Sequence, residues 1–265
     1  MNRNAMICFI CFSLVQLSFS LFAQSKQNSN VIIISPQESQ SFMFTNSVGL
    51  FYYGETGLPN TSIYHGLSFL THKFMEDYFL EIGETVLNRS LAEVKLCNDS
   101  LIRSYPTPQL TEHVSIIDSL PAMIIRINTQ HPNHLAFTPI LSGSDKVNDY
   151  IINWSTTEKI LYYARKNHLV RNDRRNYPVW TGVSSYPPGE YSETGIDYLL
   201  KMPLILDENI VLPGKINVYL EKQAFILIIV ADGKNEVSQI RNQLFRQLDL
   251  EILKKNLQIE GIRKI

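Results

Sequence analysis

The sequence predicts an all-β fold, a large antiparallel β-sandwich followed by one amphipathic helix. Three observations predict it. Short runs rich in Ile, Val, Tyr, Phe and Leu recur from residue 31 to residue 231, and turn formers break them at close intervals. Two of these runs, TEHVSIID and MIIRIN, alternate apolar and polar residues, which gives a strand one wet face and one buried face. Only the tail, NEVSQIRNQLFRQLDLEILKKNLQIEG, changes to steps of three and four.

In chain order, strands are expected over 31–34, 42–45, 64–70, 92–96, 114–117, 123–127, 135–140, 151–154, 160–164, 179–184 and 225–231. DSLPA joins the two alternating runs as a hairpin turn, with Asp118 and Pro121 in turn-forming positions. In the tail, Val237, Ile240, Leu244, Leu248 and Ile252 make one apolar stripe over 235–258. Arg241, Asp249, Glu251, Lys254 and Lys255 fall largely on other faces, and Gly261 ends the helix. No internal repeat of solenoid or propeller length is visible.

The chain has 265 residues, 45% hydrophobic, room for one large all-β domain or two small ones. Its 24 basic and 25 acidic residues leave a net charge of −1, without the concentrated basic surface that nucleic acid requires. The local basic run Arg165, Lys166, His168, Arg171, Arg174 and Arg175 reads as an exposed hairpin. Contact of Arg171 with a sugar hydroxyl or an acidic partner is the alternative.

Arg3 followed by the uncharged run MICFICFSLVQLSFSLF reads as a secretory signal peptide over 1–23, with the mature chain opening near Gln24. An uncleaved membrane anchor is the rival, and the polar Gln16 with Ser13, Ser18 and Ser20 weakens it. The expected product is exported, periplasmic or secreted, with no membrane association once the leader is removed. Cys8 and Cys11 leave with the leader, so Cys97 has no partner for an internal disulfide, and an exported chain of this kind depends on its core.

FTNSVGLFYYGETGLPNTSIYHGLSFL, residues 44–70, resembles the N-terminal signature of bacterial glycogen debranching enzymes of the amylo-α-1,6-glucosidase type. Thr45, Asn46, Gly49, Asn60, Thr61, Tyr64, His65, Gly66 and Leu67 match its order and spacing. Ser62 and Ile63 stand where that signature carries two arginines, and Leu50 replaces its second glycine. TEHVSIIDSLPAMIIRI and RKNHLVRNDRRNYPVW are similar to strands of the same β-domain. The resemblance implies a supersandwich-like N-terminal domain, with 41–234 as the sandwich and 24–40 as a flexible segment carrying the first strand. It also implies that 235–265 is a linker helix leading toward a helical (α/α) catalytic toroid not contained in this sequence.

Cleavage of a glycosidic bond needs two carboxyl groups, one of them kept protonated. Glu76, Asp77, Glu81 and Glu84 lie in MEDYFLEIGE, which reads as a solvated edge, so no catalytic residue is assigned. The histidines show no metal-ligand spacing beyond HPNH, which reads as a turn, so neither metal nor cofactor is expected. His65 could be a ligand-facing residue or could simply hydrogen-bond its own loop. The resemblance favours a sugar-facing loop of Asn60, Thr61, Tyr64 and His65. The expected function is binding of an α-glucan or oligosaccharide and packing on a catalytic domain, without catalysis by this chain alone. A stand-alone carbohydrate-binding or protein-interaction module is the alternative. The stripe Ile240, Leu244, Leu248 and Ile252 is the expected interface, for a catalytic partner or for a second copy.

Overall fold

The computed structural model describes residues 31–60, 62, 64–69, 72–142, 150–166, 179–194 and 210–262, with helix side chains described through Ile252. The expected leader, Thr61 and the basic residues His168, Arg171, Arg174 and Arg175 lie outside the described residues.

The first half contains β1 (Ile32–Ile34), β2 (Ser41–Thr45), β3 (Leu50–Glu55), β4 (Gly66–Phe69), β5 (His72–Met75), β6 (Asp77–Ile82) and β7 (Thr85–Val86). Then come β8 (Glu93–Leu96), β9 (Ser100–Tyr105), β10 (Leu110–Ile116), β11 (Ala122–Thr129), β12 (Asn133–Ser142) and β13 (Tyr150–Ser155). The rest is β14 (Ile160–Arg165), β15 (Trp180–Tyr186), β16 (Glu190–Ser192), β17 (Ile210–Val211), β18 (Lys215–Leu220), β19 (Gln223–Ala231) and α1 (Lys234–Ile262).

Nine strands form the main sheet in the order β1-β8-β9-β10-β11-β19-β15-β14-β13. A second sheet runs β16-β18-β12-β6-β7, with β17 beside β12, and a third runs β2-β3-β4-β5. The expected all-β sandwich is what the chain forms. DSLPA turns β10 into β11, with Val114 opposite Ile125 and Ile116 opposite Met123. Alternation in β10 buries Leu110, Glu112 and Val114 and leaves Thr111, His113 and Ser115 on the outer face.

One core lies inside the sandwich. Val94, Leu101, Val114, Ile125 and Ile226 of the main sheet share it with Phe137 and Val218 of the second sheet and Phe42, Tyr52 and Leu67 of the third. A second core lies on the other face of the main sheet. There Ile124, Leu227, Ile229 and Tyr162 meet Val237, Ile240, Leu244 and Leu248 of α1. Strand β19 is therefore buried on both faces, which explains why QAFILIIVA is continuously apolar rather than alternating.

Close docking of α1 depends on Gly182 in β15. A Cβ there would overlap Val237 Cγ1 and crowd Ile160 Cγ2. Gly182→Ala is expected to lift the helix and cost about 1–3 kcal/mol, the usual range for overpacking. Urea melts of the two proteins would check it, and equal midpoints would show that the helix seat has slack.

Two expectations need correction. MEDYFLEIGE does not form a solvated edge, since β6 is buried at every position between β12 and β7. The two acids within β6 are tolerated because each has a cation, whereas Glu84 beyond the strand is exposed as expected. Arg89 grips Asp77 with Nη1 and Nη2 at 2.9 and 2.8 Å, and Lys215 Nζ lies 3.1 Å from Glu81 Oε2. The apolar stripe of α1 is also not a free interface. Leu244 and Leu248 are almost fully buried on the sheet, Ile240 is buried, and Ile252 packs against the same cluster partly exposed.

Candidate functional site

The sugar-facing loop proposed from the sequence crosses the edge of the sandwich between β3 and β4, over a buried ionic network. Arg103 in β9 and Glu112 in β10 face each other in register, and both side chains are fully buried. Arg103 Nη1 donates to Glu112 Oε1 at 3.0 Å. Arg103 Nε and Nη2 donate to the carbonyls of Thr56 and Glu55 at 2.7 and 3.0 Å, tying the start of the loop to the main sheet. Tyr105 Oη donates to Glu112 Oε2 at 2.9 Å, and Tyr78 Oη donates to Glu112 Oε1. Burial alone would raise the Glu112 pKa, but Arg103 and Arg89 with the two tyrosine hydroxyls outweigh it and lower it. The same burial, with the Glu112 charge, pushes Tyr78 and Tyr105 well up.

Asn60 is buried and fully used within this framework. Its backbone N–H donates to Asp77 Oδ2 at 2.9 Å, its Nδ2 to the Glu76 carbonyl at 2.8 Å, and its Oδ1 accepts from Glu55 N at 3.1 Å. His65 is also buried. Its Nδ1 accepts from Ser62 N at 3.2 Å, Nε2 stands 3.7 Å from Glu55 Oε1, and its ring meets Tyr53 edge-on. Gly66 follows at φ +123°, where a Cβ would strike the Met75 carbonyl, so the glycine is a backbone requirement. Tyr64, at 72% exposure, turns out to solvent. Thus Asn60 and His65 hold the loop shut, and of the three described residues Tyr64 is the one presented outward.

The larger concavity is elsewhere, on the outer face of the main sheet that α1 leaves uncovered. A cleft of about 580 Å³ lies there, walled by Pro36, Leu91 and Pro106. Its floor comes from one cross-strand row, of which Glu93, Ser104, Thr111 and Asn128 line the cleft. Glu93 pairs with Ser104, Ser104 with Thr111, Thr111 with Asn128, and Asn128 with Gln223. Asn128 Nδ2 donates to Thr111 Oγ1 at 3.1 Å, and Gln223 Nε2 donates to Asn128 Oδ1 at 2.8 Å, so the amides hold one another in place. Gln109, Thr129 and Gln130 complete the polar lining. The cleft presents neutral hydroxyl and amide groups beside one carboxylate, and its volume is within the range of small-molecule sites. Sequence reasoning missed it because the row is made by register across five strands. The one local sign was alternation in TEHVS, which puts Thr111 outside.

Among the described residues, no group of three or more His, Cys, Asp and Glu side chains is placed to hold a metal ion, and no helix is long and apolar enough to cross a membrane.

Fold and site together describe an antiparallel β-sandwich with a helix closing half of one outer face and a polar cleft on the other half. No protein-family model matches the chain, and no curated protein matches it. Among solved structures it is similar to a GH36 α-galactosidase from Geobacillus stearothermophilus, solved in complex with raffinose, with 8% sequence identity and a TM-score of 0.27. The match covers 77% of this chain and 41% of that one, so the chain spans about two fifths of the neighbour's length. A likeness this slight carries no argument about chemistry. The functional reading rests on the cleft and on the residues of the 44–70 motif.

Proposed function

We propose that this chain is a carbohydrate-binding β-sandwich domain of glycoside-hydrolase type, exported by its N-terminal leader and holding an oligosaccharide in the cleft of the main sheet. The observation that carries the reading is the lining, where Thr111 and Asn128 are hydrogen-bonded to each other between apolar walls and Gln223 behind them holds the Asn128 amide. Sugars offer hydroxyls that both donate and accept, together with apolar C–H faces, and such a surface answers both. The resemblance of residues 44–70 to debranching enzymes makes an α-glucan the first ligand to try. It also makes packing beside a helical catalytic domain the expected setting, in the periplasm or outside the cell.

No hydrolysis is assigned to the chain alone. Asp77, Glu81 and Glu112 are each held by Arg89, Lys215 or Arg103. A glycosidase acid needs the opposite surroundings, ones that keep its proton on.

Titration calorimetry with maltohexaose tests the proposal. The wild type is expected to bind, and Thr111→Ala with Asn128→Ala to bind about tenfold more weakly, from two hydrogen bonds at about 0.5–1.5 kcal/mol each. Tyr64→Ala is expected to leave affinity at this cleft unchanged. No saturable binding, or equal affinity in the double variant, would remove the cleft as the site.

A further inference from the structure

A second cavity, of about 240 Å³, opens on the same outer face where α1 leaves the sheet. Three kinds of group line it, and the carbohydrate reading uses none of them. The first is a cation. Arg126 in β11 stands opposite His113 in β10, and its Nη2 is 3.0 Å from His113 Nδ1. That contact is a hydrogen bond only when the imidazole is neutral and accepts at Nδ1, which places its proton on Nε2. Burial and the neighbouring guanidinium both lower the His113 pKa, which favours the neutral ring. Arg126 makes no ion pair with a carboxylate among the described residues. Its Nε and His113 Nε2 are both buried without a hydrogen-bond partner. A half-buried guanidinium without a counter-ion is an under-satisfied donor set suited to a carboxylate.

The second group is acidic. Asp99, just before β9, and Asp118, in the β10–β11 turn, lie at the end of the sheet beyond the Ser115–Ile124 pair. Asp99 accepts from Ser100 Oγ through Oδ1, and Asp118 accepts from Ser47 N through Oδ1. Neither second oxygen has a hydrogen-bond partner among the described residues. By register Asp99 stands about three residues along the strands from the Arg126–His113 pair and Asp118 about five, roughly 10 and 17 Å of backbone. Glu251 of α1 lines the cavity as well. The third group is an apolar wall of Ile124, Phe225 and Leu248.

A simple anion would meet the acids, and a simple cation would meet Arg126. A molecule carrying both charges, with an apolar side chain between them, satisfies all three surfaces. We propose that this cavity binds a small apolar zwitterion, an apolar dipeptide, with its carboxylate on Arg126 and its ammonium toward Asp99, the nearer of the two acids. The site is separate from the cleft, and its occupancy does not depend on sugar binding.

The probe is the dipeptide Leu-Leu, titrated into the full chain beside two blocked forms, N-acetyl-Leu-Leu without the ammonium and Leu-Leu amide without the carboxylate. The expected result is saturable binding of Leu-Leu, with each blocked form at least about tenfold weaker, since a charge-assisted hydrogen bond contributes more than a neutral one. Arg126→Gln should lower Leu-Leu affinity about tenfold and abolish discrimination against the amide, while retaining discrimination against the acetylated form. Because the blocked ligands act on the unaltered protein, a misfolded variant cannot decide the outcome. Absence of Leu-Leu binding, an amide that binds as tightly as Leu-Leu, or Arg126→Gln that still discriminates against the amide would each overturn the proposal.

Discussion

Arg103→Leu is expected to destabilise the folded chain by about 3–5 kcal/mol, because it leaves the buried Glu112 carboxylate without its ion-pair partner. Neither side chain has any exposure, so water cannot replace the lost guanidinium. Two carbonyls, of Thr56 and Glu55, lose their donors in the same step, which loosens the entry to the 54–66 loop. The effect has a pH signature. The folded-state pKa of Glu112 is lowered, so its contribution is fully present above the unfolded carboxylate range, near 4.3. That contribution is lost as pH falls through the folded value. In the variant Glu112 can be accommodated by taking up a proton, so the gap between the two proteins should narrow on acidification. Denaturant melts of both from neutral pH downward would measure this. A variant within 1 kcal/mol of wild type near neutrality would show that the pair is dispensable.

The double variant Leu244→Asp with Leu248→Asp is expected to detach α1 from the sheet. Truncating one buried leucine costs about 2–5 kcal/mol, and a carboxylate at the same place adds its own desolvation. From the sequence, the stripe has three fates. It can lie back on the sandwich, pair with another copy or partner, or stay partly bare. In the second case these substitutions would make the chain more monomeric. The structure shows the first, with both leucines closed over Ile124, Leu227 and Ile229. Removing the cover bares the outer face of β11, β19, β15 and β14, so the variant should associate more than wild type, not less. Sedimentation at several concentrations, with hydrogen exchange read along α1, is the check. A variant that becomes more monomeric with its helix amides still protected would restore the interface reading.

How much was legible differs between the fold and the site. The hairpin of β10 and β11 and the amphipathic tail each follow from a period within one segment, because side-chain direction is fixed locally at two residues per strand repeat or 3.6 per helical turn. MEDYFLEIGE went the other way. Its carboxylates look like solvent-facing groups until Arg89 and Lys215 are brought beside them from 12 and 134 residues away. No local pattern announces a counter-ion. In the 54–66 loop the motif drew attention to a region that is held tightly, but burial decided that Asn60 and His65 bind their own chain and that Tyr64 faces out.

The amino-acid sequence by itself determined the all-β class, eleven of the nineteen described strands, where the chain turns into a helix and which face of that helix is apolar, but it did not mark strands such as β3, β6, β9 and β18. Tertiary structure decided what that face covers, which acids are neutralised by which cations, and where polar residues from Glu93 to Gln223 line up as one row. The reason is distance along the chain. Periodicity is a property of neighbours, whereas a counter-ion, a covered face and a cross-strand row are made by residues that only folding brings together.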